Sequence, residues 1–167
     1  NLGEYVASFG AKALLVSSKD DEGRVRAQLD EAIKRHPFEL KSAGFNLECC
    51  WPEIHRIEAV AKAENVDVVI GLGGGKSLDT AKAVAGRIGK PAIVVPTIAA
   101  TDAPTSYSAV VYTETGEFLE YVFFKNNPNL VLVDTGVIAR APVRFLVAGM
   151  GDALATWFEA RSCAQAF

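Results

Sequence analysis

Val66-Asp67-Val68-Val69-Ile70-Gly71-Leu72-Gly73-Gly74-Gly75-Lys76-Ser77-Leu78-Asp79-Thr80-Ala81-Lys82 is the stretch whose reading decides the fold. A β-branched apolar run ends in glycines and restarts with helical spacing, which predicts a strand, a tight turn and a helix N-terminus in succession. Gly73, Gly74 and Gly75 carry no Cβ, so their backbone can take positive φ and let a bulky anion reach its N–H groups. The first turn of the helix adds unpaired N–H donors and a partial positive charge aimed at the same point. The stretch is therefore a candidate phosphate cradle. It misses two familiar patterns by one residue each. A P-loop would need glycine where Ile70 stands, and the dinucleotide fingerprint counted from Gly71 would need glycine at Lys76. A glycine-rich turn that binds nothing is the plain alternative; the density of glycines followed by Lys76 and Ser77 weighs against it.

On the N-terminal side, Leu2 to Phe9 reads as a helix end stopped by Gly10, and Ala13-Leu14-Leu15-Val16 as a buried strand. Residues 17–23 form a polar loop, Val25, Leu29 and Ile33 mark an apolar helix stripe, and Pro37 ends that helix. Phe38-Glu39-Leu40 alternates like a second strand, and residues 42–50 read as a loop. Pro52 and Glu53 suit the start of a helix that turns Ile54, Ile57 and Ala61 to the core and Glu58, Lys62 and Glu64 to water. Asn65 caps its end.

On the C-terminal side, a helix from Ser77 to Ile88 closes at Gly89 and Pro91, and Ala92-Ile93-Val94-Val95 is the next strand. Ile98 to Ser106 is a loop of small and polar residues. Ala109 to Tyr112 and Glu117 to Val122 form a β-hairpin turning at Gly116, and Leu130 to Val133 is one more strand. From Ala139 onward strands disappear. Pro142 starts a short helix, Gly149-Met150-Gly151 breaks it, and Asp152 opens a last helix with Leu154, Trp157 and Phe158 on its apolar side. The pattern predicts an α/β, Rossmann-like, mainly parallel sheet with flanking helices and a hairpin, followed by the start of an all-helical domain. The boundary is expected near residue 140: 1–140 for the α/β unit and 141–167 for the helical one. Ligands should collect at the carboxyl ends of the strands, where both Gly73–Ser77 and Pro96-Thr97 fall.

A chain of 167 residues that is half hydrophobic can bury a real core, and its mixed charges exclude disorder. A net charge of −3 without a Lys/Arg block argues against a nucleic-acid surface, and no apolar run reaches the length of a membrane helix. Cys49, Cys50 and Cys163 are an odd set without Cys-x-x-Cys, which suits reduced thiols in a cytoplasmic protein. The absence of Met at position 1 and a helical pattern running up to Phe167 lead us to expect a portion of a longer chain.

Three residues compete between structure and chemistry. Asp152 is an N-cap by residue type, or a carboxylate metal ligand facing a cleft; residue type favours the cap. Asp102, ahead of Ala103-Pro104, is a turn former or an acceptor for a substrate hydroxyl, in even balance. Lys76 is a phosphate contact or a solvated side chain, and Tyr112, at a strand end, is the tyrosine least committed to packing. His36 and His55 lack ligand spacing, and no nucleophile elbow occurs.

Gly73 to Lys82, Pro96-Thr97-Ile98-Ala99-Ala100-Thr101-Asp102-Ala103-Pro104 and Gly149-Met150-Gly151-Asp152-Ala153-Leu154-Ala155-Thr156-Trp157-Phe158-Glu159-Ala160 resemble the glycerol dehydrogenase family. These are metal-dependent polyol dehydrogenases of the iron-containing alcohol dehydrogenase group, with a dehydroquinate-synthase-like fold. The resemblance runs from about Gly3 to Cys163 and includes Glu48-Cys49 and Glu53-Ile54. It implies an NAD-binding α/β domain, a helical metal-binding domain, zinc between them, and oxidation of glycerol to dihydroxyacetone by hydride transfer to NAD. It implies that Gly73, Gly74, Gly75, Lys76 and Ser77 hold the pyrophosphate, and that Thr97, Ser106, Ser108 and Tyr112 line the rest of the groove. Asp102 would bind the substrate and Asp152 would be the first zinc ligand, which reverses the preference for a cap. A cytoplasmic homo-oligomer acting on a small polyol, without nucleic acid or membrane, is implied. The sequence departs from the pattern in lacking the two further histidine ligands. It also has Ser18 where an Asp would bind the adenine ribose, Ala100 where serine is usual, and Ser108 where leucine is usual. Slight or absent turnover is the expectation for these residues alone. A non-catalytic NAD-binding fragment and a related polyol or glycerol-phosphate dehydrogenase stay open as alternatives.

Overall fold

The computed structural model describes residues 2–166. In chain order the elements are α1 (Leu2–Ala7), β1 (Lys12–Ser17), α2 (Lys19–Arg35), β2 (Glu39–Gly44), α3 (Trp51–Ala63), β3 (Val68–Gly73), α4 (Gly75–Ile88), β4 (Ala92–Pro96), β5 (Ser108–Tyr112), β6 (Phe118–Phe123), β7 (Leu130–Val131), α5 (Thr135–Ala139) and α6 (Val143–Ala166). Five strands form a parallel sheet in the order β2-β1-β3-β4-β7, and β5-β6 is a separate antiparallel hairpin. The chain runs outward from β1 to β2, returns past β1 to β3, and continues the other way. The order thus reverses between β1 and β3, and a crevice opens at their carboxyl ends, Ser17 and Gly73.

The continuous apolar runs of β1, β3 and β4 are buried because both faces of the sheet are covered. Alternation then sorts their side chains. Leu14, Val16 and Val69 pack on Ile54, Ile57 and Ala61 of α3 and on Ala81, Val84 and Ala85 of α4. Ala13, Leu15, Val68, Ile70 and Leu72 pack on Val25 and Leu29 of α2 and Val6 of α1. Each fully buried Leu, Ile or Val contributes about 1.5–3 kcal/mol, so these two layers account for most of what holds the sheet.

Several expectations are corrected. The polar stretch after β1 is helix from Lys19, because Ser18 caps it by accepting from the Asp21 N–H at 3.1 Å. The second strand extends to Gly44 since pairing along β1 carries it to the Ser17–Gly44 register, and the following loop is correspondingly shorter. The helix after the glycines starts at Gly75, two residues before Ser77, because Gly74 supplies the N-cap. Glu58 is buried rather than solvated, held by Lys62 and Arg87. Asn65 lies beyond the end of α3 with φ 49°, a left-handed conformation that Asn tolerates. The strand at Leu130 is only two residues long, and Asp134 caps α5 by accepting from the N–H groups of Gly136 and Val137. α6 runs unbroken through Gly149-Met150-Gly151, so Asp152 sits in mid-helix and is not a cap.

α3 is tied to the loop before it by Glu53. The Arg56 guanidinium meets both Glu53 carboxylate oxygens, and Asn46 donates to them from its backbone at 2.9 Å and its side chain at 3.0 Å. Burial alone would raise the Glu53 pKa, but Arg56 and the Asn46 bonds outweigh it and hold it below the ordinary value of 4.5. A carboxyl depressed in the fold contributes stability above its unfolded pKa and loses it as pH falls through the folded one. Glu53→Gln should cost about 1–2 kcal/mol in urea unfolding at neutral pH. The gap from wild type should narrow below about pH 4.5.

Candidate functional site

The glycine turn is built by its neighbours. Gly73 closes β3 at φ +142°, a conformation that favours glycine, and its carbonyl accepts from the Thr97 N–H at 3.0 Å, joining the ends of β3 and β4. Ser77 Oγ donates to the Leu72 carbonyl at 2.9 Å and the Val16 carbonyl at 3.2 Å, joining β3 to β1. Ser77 therefore spends its hydroxyl on the scaffold and offers only its backbone to a ligand. Gly74 is the N-cap of α4 without a side-chain capping bond. The N–H groups of Gly75, Lys76 and Ser77 occupy the first helical turn, where no intrahelical acceptor exists. Thr97 is buried and donates from Oγ1 to Asp21 Oδ1 at 3.0 Å, while Asp21 Oδ2 accepts from Ser18 Oγ at 2.8 Å.

Beside this turn lies a cavity of about 430 Å³ lined by Gly75, Lys76, Asp102, Ser106, Ser108 and Tyr112, together with Asp79, Thr101 and Tyr121. Lys76 Nζ lies 2.6 Å from a Glu48 carboxylate oxygen and 4.7 Å from the centre of the Tyr112 ring. Burial raises the Tyr112 phenol above its ordinary pKa; the nearby Lys76 charge opposes this, and Asp79 and Glu48 add to it. The phenol is thus a hydrogen-bond donor at neutral pH. A larger hollow of about 570 Å³ sits on the α2 side of the sheet, among Leu15, Leu29, Ile70, Leu72 and Val95, with Thr97 at its edge. Its lining is mainly aliphatic and it lacks the open first turn of α4, so the smaller cavity is the better anion site.

Asp102 is exposed in the 98–106 loop, and its backbone N–H donates to Asp152 Oδ2 at 3.0 Å. Gly149 makes this contact feasible: a methyl group there would collide with the Ala99 carbonyl, so α6 can lie against the loop backbone only with glycine at that position. Glycines cost a helix roughly 1 kcal/mol each relative to Ala, and Gly149 is the one whose cost this contact explains. Sequence reasoning passed over Asp79, Lys82, Glu48 and Asp21 as site residues. The signal for the first two was present: two charges inside the run Ser77–Ala85, which is buried throughout.

Among the described residues no group of three His, Cys, Asp or Glu is placed to hold a metal ion. His36 and His55 are exposed, His55 stacking on Trp51. The Cys49 thiol is pushed up to about 12, chiefly by burial, and is no nucleophile at neutral pH. Cys49, Cys50 and Cys163 are free thiols. No helix among the described residues is long and apolar enough to cross a membrane.

A sheet whose order reverses beside an anion-accepting glycine turn defines the doubly wound α/β class. More narrowly, the chain belongs to the iron-containing alcohol dehydrogenase family, which matches residues 1–135. It is 45% identical over 164 residues to a glycerol dehydrogenase of Escherichia coli, covering 98% of this chain and 45% of that protein. It is 46% identical over 165 residues to a glycolaldehyde reductase of Halobacterium salinarum, covering 99% of this chain and 45% of that one. The crystal structure of a probable glycerol dehydrogenase from Sinorhizobium meliloti superposes with a TM-score of 0.85 at 44% identity, covering 96% of this chain and 43% of that one. The chain thus spans somewhat under half the length of these relatives.

Gly149→Ala should lift α6 from the loop. Amide exchange at Asp102 should then quicken about tenfold, the equivalent of losing one hydrogen bond, while β1 and β3 stay protected.

Proposed function

We propose that this chain is the cofactor-binding portion of an NAD-dependent glycerol dehydrogenase, in which glycerol gives up a hydride from its secondary carbon to NAD and becomes dihydroxyacetone. One observation carries the reading: the open first turn of α4 and the Asp102 loop border the same cavity. Bound NAD supplies the hydride acceptor. The diphosphate fits the Gly73–Ser77 turn, whose N–H donors and helix dipole favour an anion, and Lys76 can turn from Glu48 toward it. Ser106, Ser108 and Tyr112 line the groove beyond, and Thr97 braces its floor through Gly73. Hydride transfer needs the two carbons about 3–3.5 Å apart, so the nicotinamide half must face the 101–108 loop. There the Asp102 carboxylate can accept a hydrogen bond from a substrate hydroxyl.

Ser18 and Asp21 form the start of α2 just after β1, and Asp21 lies against the diphosphate turn, its Oδ2 3.1 Å from where a side chain on Gly73 would begin. An acid there suits a free ribose hydroxyl better than a 2′-phosphate, which favours NAD over NADP; the Arg24 partner, 3.6 Å away, is exposed and screened. A divalent metal, zinc in our reading, is not held by the described residues alone. Asp152 is a single carboxylate whose Oδ2 already accepts from Asp102, so this chain supplies at most one ligand and no chemical step is derived through the metal. In this reading residues 1–140 are the NAD-binding domain and 141–167 the beginning of the helical one, in a cytoplasmic homo-oligomer. The exposed Leu146, Met150, Leu154, Trp157 and Phe158 of α6 are the surface that would be covered by further protein.

A second reading changes the direction of use: the same hydride transfer run toward reduction of a small hydroxyaldehyde, as the name of the Halobacterium salinarum relative suggests. A glycerol-phosphate substrate is disfavoured because Lys76 is assigned to the diphosphate and Lys82 is held by Asp79, which leaves no further cation among the described residues lining the cavity.

Calorimetric titration tests the proposal. Wild type should bind NAD and ADP-ribose saturably, NADP more weakly, and Gly74→Val, whose first side-chain carbon would already crowd Ile98 at 3.0 Å, should lose at least about tenfold in affinity. Absence of NAD binding by wild type would overturn it. Turnover of glycerol with added Zn²⁺ should be slight.

A further inference from the structure

We propose that Asp79 and Lys82 are positioning residues: a buried ion pair on α4 that fixes the loop carrying Asp102 and the first residues of the hairpin over the cofactor groove. This rests on the reading of the cavity as a dinucleotide site.

Lys82 and Asp79 are one helical turn apart and both buried, with Lys82 Nζ 2.9 Å from Asp79 Oδ1. That contact is ionic rather than a hydrogen bond: Asp79 Oδ1 accepts none, and the ammonium spends its donors on the Ala103 carbonyl at 2.7 Å, the Ser108 carbonyl at 2.6 Å and Ser106 Oγ at 3.0 Å. Asp79 Oδ2 accepts from the Val110 N–H at 2.9 Å. Two charges on one rigid helix thereby hold three points of the 103–108 segment and Val110, the third residue of β5. Ala103 and Ser106 lie in irregular backbone, which by itself has no ladder to fix it, and Ser108 is the residue at which β5 begins. Asp102 is the residue just before the first clamped carbonyl, so its place over the cavity follows from that of Ala103.

The arrangement is costly unless it is used. Lysine is almost never buried without full pairing, and a Met at position 82 would fill the space without ion desolvation. The side-chain bonds of the pair go to residues 103–110, whereas Ser77 and Gly73 brace the diphosphate turn, so the pair acts chiefly on the half of the groove that faces Asp102.

The test uses Lys82→Met and the milder, nearly isosteric Asp79→Asn, with two readouts in this chain. In hydrogen exchange, amides 103–110 should quicken about tenfold in either variant, with β1 and β3 unchanged. In calorimetry, NAD affinity should fall about tenfold more than ADP-ribose affinity, because only NAD carries the nicotinamide half. A uniform rise in exchange over the sheet, or none in Asp79→Asn, would overturn the proposal, as would an equal loss for both ligands. If wild type binds neither ligand, the dinucleotide reading falls, and the exchange pattern alone decides whether the pair is a clamp.

Discussion

The hydroxyl of Ser77 is the point on which this structure turns. It reaches back to the carbonyls of Leu72 and Val16 and so locks α4 to the ends of β3 and β1 at once. Thr97 adds β4 through the Gly73 carbonyl, and Asp21 adds α2 through the Thr97 hydroxyl. Three strand ends and two helix starts are thereby held around a single turn. The consequence is electrostatic as much as mechanical. Gly74 has no side chain to cap α4 and the Ser77 hydroxyl is committed to the strands, which leaves the N–H dipoles of the first turn without a side-chain cap.

Around this hub the chain places charge where apolar packing alone would have been simpler. Glu53 with Arg56, Glu58 between Lys62 and Arg87, and Asp79 with Lys82 are all carboxylates sunk in or beside the core. Pairs of this kind add little net stability, since desolvation offsets most of their attraction. What they give is register. Glu53 and Lys82 each join a helix to the chain beside it, near Asn46 for Glu53 and along 103–108 for Lys82, while Glu58 joins α3 to α4 through Arg87.

The parallel sheet and its helices were legible in the sequence because their signals are local. Apolar runs at Ala13–Val16, Val68–Ile70 and Ala92–Val95 read as strands buried on both faces, and the glycines announce the turn. The α2 start was misread because Lys19-Asp20-Asp21-Glu22 looks like a solvated loop, whereas three acids in a first turn behind a Ser cap are a helix N-terminus. Gly149-Met150-Gly151 was misread for the opposite reason. Propensity breaks a helix there, and the contact that makes Gly149 useful comes from Ala99, fifty residues earlier, which no local pattern contains. The meeting of Asp102 with Asp152 was hidden in the same way, as was the division of labour between Lys76 at the cavity and Lys82 beneath the loop.

α6 has no buried residue, and Gly149 and Asp152, which meet the 99–102 backbone, lie in its N-terminal half. Twenty-four residues at 1.5 Å each make a rod about 36 Å long, with a short N-terminal arm and a long C-terminal one on either side of this contact. Whatever grips either arm therefore acts with leverage: a tilt of a few degrees moves the tips by an ångström or so but displaces the pivot very little. A lever of this shape disturbs the Asp102–Asp152 spacing least, because that contact lies where its arms meet.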